Sequence, residues 1–139
     1  MTLSLSKLSK FDFLGVFLLR LGIGALIAFH GFPILVGGTE EYERVGSGIS
    51  LVGIHSFHLV FGLAAAVIQS VGGLFLILGI LTRGIALLLS VIVGLAIAGL
   101  IRNGGPIDLS FLIYCQVFLG VVSLVFIGPG RFSLDRRGV

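Results

Sequence analysis

Four long apolar stretches, set apart by short polar ones, organise this chain. The first covers residues 13–32 and is interrupted only by Arg20. The second, 59–81, has Gln69 as its only strongly polar residue; the third, 85–101, is short but unbroken; the fourth, 109–127, contains Gln116. A bilayer core about 30 Å thick takes about 20 helical residues, and each stretch meets or approaches that length. Lipid offers backbone groups no hydrogen-bond partner, so helices are the form these stretches can take. Polarity does not alternate along them as it does in a barrel strand. The pattern predicts an all-α, integral membrane four-helix bundle with antiparallel, up-down connections, built as one domain over 1–139.

The connections carry their own signals. Thr82, Arg83 and Gly84 leave so short a link that spans two and three must be antiparallel neighbours. Asn103, Gly104, Gly105 and Pro106 make a turn between spans three and four. The first connection is long, 34–58, with Pro33 and Gly37-Gly38 at its start, and residues 40–50 are expected to form a short interfacial helix. Small residues recur every four positions in two spans: Gly62, Ala66 and Ser70 in the second, Ser90, Gly94 and Ala98 in the third. Such ridges allow close helix packing in membranes.

Composition strengthens the membrane reading. Apolar residues make up 57% of the chain and charged residues 11%, against about 25% charged in globular proteins. A soluble fold could not cover itself with so few charges. The net charge is +3, but the cations are scattered and no basic stripe points to nucleic acid. Lys7, Lys10, Arg83, Arg131, Arg136 and Arg137 fall on one side of the membrane, and Arg44 and Arg102 on the other. The positive-inside bias therefore places both termini in the cytoplasm. The basic start of the first span is that of a signal peptide, yet Arg20 breaks the apolar region and no clean A-x-A site follows, so the span is expected to be retained.

The residues also carry a resemblance. Leu19-Arg20-Leu21-Gly22 followed by Phe29-His30-Gly31-Phe32-Pro33 resembles the opening of the DoxX family. Gly72-Gly73 followed by Leu78-Gly79-Ile80-Leu81-Thr82-Arg83 is similar to its central signature, and Gly128-Pro129-Gly130-Arg131-Phe132-Ser133-Leu134-Asp135 to its terminal one. These blocks keep their order across nearly the whole chain. The resemblance implies a small four-helix protein of the bacterial inner membrane, in a family whose members include the membrane subunit of a thiosulfate:quinone oxidoreductase. Relatives often carry a glutamate where this chain has Gln69, so an ion pair between that position and the arginine of span one is absent here.

Polar groups inside the spans are the candidates for chemistry. A central arginine costs roughly 2.5–3.5 kcal/mol on insertion scales and usually faces a bundle interior or a cavity. At about 1.5 Å per residue, Arg20 lies about 10–12 Å from the cytoplasmic boundary, and Gln69 and Gln116 about 13 Å from the opposite one. In a core about 30 Å thick those depths differ by about 5–8 Å, within an arginine's reach. Arg20, Gln69 and Gln116 are thus expected to form a buried cluster able to hold an anionic or quinone-like head group. The alternative, and the preferred one, is structural: Arg20 snorkels to the interface, or the three make interhelical hydrogen bonds. His30 ends the first span; its ring suits a quinone carbonyl, or caps free helix carbonyls. His55 and His58 would share a helix face, but a zinc site needs further ligands and none is assigned. Cys115, the only cysteine, excludes an internal disulfide and reads as a small core residue.

No complete catalytic motif is present. The leading reading is an accessory membrane subunit tied to quinone-linked redox chemistry. It holds no cofactor of its own beyond a possible quinone, and an oxidoreductase partner supplies the electrons. The other reading is a scaffold or assembly protein in the bilayer, with a homo-oligomeric transporter as a third.

Overall fold

The computed structural model describes residues 5–135. A 3₁₀ turn, Leu5–Phe11, leads into α1 (Asp12–Val36). The long connection holds α2 (Thr39–Gly46) and a second 3₁₀ turn, Ser47–Val52; α3 (His58–Leu78), α4 (Thr82–Arg102) and α5 (Leu109–Ile127) follow. No strand occurs among the described residues. The helices α1, α3, α4 and α5 are long and apolar enough to cross a membrane. Arg136 and Arg137, which enter the charge bias, lie outside the described residues.

Helix ends follow from local chemistry. The first helix runs past Pro33 to Val36, because a proline in the last turn removes only one intrahelical donor. The third stops at Leu78 rather than at 81. There Gly79 turns left-handed (φ 73°), its N–H bonding Leu76 O at 3.2 Å and that of Ile80 bonding Phe75 O at 2.9 Å. This 5→2 and 6→1 pair is a Schellman ending. Asp108 caps α5 by accepting from the Phe111 N–H at 3.0 Å, satisfying one of the free amides of a helix start.

The two helices α1 and α3 form a closely packed antiparallel pair. A Cβ on Gly24 would stand 2.6 Å from the Gly73 carbonyl oxygen, and one on Gly31 2.6 Å from the Ser70 nitrogen. Only glycine permits backbones so close. The predicted ridge of Gly62, Ala66 and Ser70 is buried, and a Cβ on Gly62 would overlap the Tyr42 carbonyl of α2. The ridge of α4 behaves differently. Its buried residues are Thr82, Ala86, Leu89 and Val93, while Ala98 is exposed and Gly94 meets only the Phe118 ring.

Those burial patterns divide the bundle into two ends. In α1 buried residues recur from Arg20 to Ile34 and in α3 from Gly62 to Leu76, but in α4 they stop at Val93 and in α5 they begin only at Val117. All four helices therefore close on one core, formed by Ile23, Ile27, Leu76, Ala86, Leu89, Val93, Val117, Val121 and Leu124. This is the terminal end, where α1 starts and α5 stops. At the loop end, the outer halves of α4 and α5 hold no buried residue, and a cleft separates them from the α1–α3 pair except where single side chains reach across. Large apolar side chains cover the outside, Phe29 at 85% and Phe126 at 78% exposure, a surface suited to lipid rather than water.

Candidate functional site

At the terminal end the three sequence blocks meet. Arg20 is wholly buried, and its Nη2 donates to the Phe132 carbonyl. Its guanidinium also lies over the Phe17 ring, 5.8 Å from the centroid. Phe132 sits edge-on to Phe13 and Phe17 at 5.2 and 5.8 Å. The segment then runs beneath the link between α3 and α4. Leu134 N–H bonds Leu78 O at 3.2 Å and Asp135 N–H bonds Gly79 O at 2.9 Å. The Asp135 carboxylate accepts from Leu81 N–H at 2.6 Å and Thr82 N–H at 2.8 Å. Leu81 offers no side-chain cap, so a residue more than fifty positions later caps α4. Burial opposes ionisation of Asp135, but the N–H groups of Thr82 and Leu81, with the Arg20 charge, outweigh it and hold the carboxyl below its usual range. Gly79 is required twice: its φ is left-handed, and a Cβ there would overlap Arg20 and crowd Ser133.

This arrangement corrects the expected cluster. Gln69 lies on α3 beside Gly31, ten residues from Gly79, a separation of about 15 Å along the helix. Gln116 is exposed on α5. Arg20 meets neither; it is buried and makes a structural hydrogen bond, to the Phe132 carbonyl rather than to another helix. The depth argument sought partners inside the spans, whereas the 128–135 segment folds back and brings a backbone carbonyl to the arginine.

The loop end holds a cleft of about 1710 Å³ between the two helix pairs, roofed by residues 41–51. Its walls are mainly apolar. His30 and Gln69 stand on the α1–α3 side, and Tyr114, Ser110, Arg102 and Asn103 on the α4–α5 side. Across it Tyr114 Oη lies 3.4 Å from His30 Nε2, the rings at right angles with centroids 5.7 Å apart. At the roof Arg44 Nε donates to Glu41 Oε2 at 3.2 Å, and Nη2 to the same oxygen. That hydrogen bond holds the Glu41 carboxyl below its usual range.

Of the four expected site residues, His30 and Gln69 line this cleft, and Arg20 and Gln116 do not. His55 and His58 share no helix face, because α3 begins only at His58, whose ring lies 3.1 Å from Ser50 Oγ. Among the described residues no three of His, Cys, Asp and Glu come together as metal ligands would. Tyr114 and Asp135 were not singled out from sequence. Tyr114 carries no signal there, while Asp135 ended a recognised block without any hint of what it caps.

Comparison with known families gives one match: the DoxX family model fits residues 15–101. The match takes in the opening and central blocks; the terminal block lies beyond it. No curated protein matches the chain, and no solved structure does.

Proposed function

The chain belongs to the DoxX family and is a multi-pass membrane protein, and on that premise we propose that it is an accessory subunit that binds a quinone-type ring in the loop-end cleft. The observation that carries this reading is the set of His30, Gln69 and Tyr114 on facing walls of an apolar cleft. Sites for small apolar rings combine such walls with a few converging polar groups. The Tyr114 hydroxyl and the Gln69 amide donate to ring carbonyl oxygens, and the His30 ring takes either role according to its tautomer. A single cysteine cannot cycle through an internal disulfide, so the electrons come from a partner oxidoreductase subunit. The positive-inside bias supports an orientation in which both termini face the cytoplasm and the cleft opens outward, and a bacterial inner membrane is the location this reading takes.

A scaffold role is the second reading, favoured by the α4 ridge of Ser90, Gly94 and Ala98, which this chain covers only in part and a second copy could pack against. Titrating a quinone analogue into the reconstituted protein separates the two. Binding at about 100 times Kd raises stability by about 2.7 kcal/mol, read as a higher melting temperature, and Gln69→Leu and Tyr114→Phe should shrink that rise. An unchanged melting temperature at saturating quinone would give the scaffold reading first place.

A further inference from the structure

The four hydrogen bonds made by residues 134 and 135 straddle a single joint. Two end on the α3 side, at Leu78 and Gly79, and two on the α4 side, at Leu81 and Thr82. The joint has the backbone of a hinge: Gly79 and Leu81 both adopt positive φ, 73° and 48°, and leucine rarely does so. On either side of it lie the two helix pairs, α1–α3 closely packed and α4–α5 joined to it by the shared core at the terminal end and, at the loop end, by the Tyr114–His30 contact and the roof. The closed arrangement is also incompletely satisfied. Arg20 Nε and Nη1 are buried without hydrogen-bond partners among the described residues, and Asp135 acts on the Arg20 charge without an ion pair between them among those residues. Buried donors left unmet carry a free-energy cost. A segment serving stability alone would be expected to pair this guanidinium fully, and local rules are broken most often where an element has work to do.

We propose that the 128–135 segment is a latch on the terminal end, and that its release lets the α4–α5 pair rock about residues 79–81 against the α1–α3 pair. Rocking opens the core beneath the loop-end cleft and turns a blind cleft into a passage through the bundle. The walls so exposed, Ile23, Leu76, Leu89, Val121 and Leu124, are apolar, so what passes is a neutral or amphipathic molecule rather than an ion. The latch rests on the cleft's geometry and not on which ligand fills it.

A buried thiol reports the opening. In a Cys115→Ser background, Leu124→Cys places a cysteine at a wholly buried core position of α5, and Ala66→Cys a control equally buried on α3. The full chain in lipid nanodiscs is then exposed to a water-soluble maleimide. Asp135→Asn keeps the side chain's size and a capping oxygen but removes the charge facing Arg20. It should speed labelling at 124 by roughly tenfold or more, the weight of one charge-assisted hydrogen bond, and leave position 66 unchanged. Adding Arg20→Leu, which also removes the bond to the Phe132 carbonyl, should speed labelling at 124 further and still leave position 66 unchanged. Unchanged labelling at 124, or an equal rise at 66, overturns the latch in favour of a simple structural tie. Should Asp135→Asn fail to fold, hydrogen exchange on the wild type decides. Amides 81, 82, 134 and 135 should exchange together and well before the α3 interior at 66–73; exchange only with global unfolding overturns the proposal.

Discussion

Asp135 shows how much one side chain can hold. It ends the free amides of α4, and with its own backbone N–H it takes up a carbonyl of α3. Removing an N-cap costs about 0.5–2 kcal/mol, so Asp135→Ala should lower the melting temperature in detergent by a corresponding few degrees. The carboxyl is held below its usual range in the folded protein. Its contribution is therefore complete above the ordinary carboxylate pKa of about 4 and is lost as pH falls through the depressed value. Melting curves of the wild type should be flat from pH 7 to 5 and decline below that, and Asp135→Asn should flatten the decline. Arg20 gives a second test at this scale. Because Gln69 lies about 15 Å further along α3, Arg20→Leu and Gln69→Leu should destabilise additively within about 0.5 kcal/mol. A larger coupling would restore the buried cluster expected from sequence. The sequence displayed Arg20 as a costly residue but could not display its partner, because the partner is a main-chain carbonyl and carries no residue identity.

Among the helices, the α1–α3 seam is the element on which the others are built. A Cβ on Gly24 or Gly73 would stand 2.6 Å from the other's carbonyl oxygen, so a side chain at either forces the backbones apart. Gly24→Val should cost about 1–3 kcal/mol by overpacking. Gly22→Ala, at a position with open space around it, should be neutral or slightly stabilising; melting both variants in the same detergent compares them. The apolar runs made the long helices legible, and the spacing of Gly62, Ala66 and Ser70 made one packing face legible. The same spacing in α4 pointed to a face the bundle covers only in part, while in α1 Gly24 and Ala28, four apart, and Gly31 beyond them form the close seam with α3. Spacing shows that a helix has a small-residue face; what that face meets is decided by the other helices.

For the whole molecule, orientation is the property to measure first. A reporter active only in the cytoplasm should work when fused after Val139 and be silent when inserted near Thr39, as the charge bias requires; the opposite pattern would turn the cleft toward the cytoplasm. The cleft itself was only half legible. His30 and Gln69 stood out as polar groups in apolar runs, but the opening exists because α4 and α5 splay at one end, and no local pattern records that. The tie between Arg20 and Phe132 has a consequence for synthesis. The two residues are 112 positions apart, which at about 5–20 residues per second is roughly 6–22 s of translation. Until residue 132 has been made, the Arg20 guanidinium has no Phe132 carbonyl to donate to, so this tie can form only after all four long helices have been synthesised.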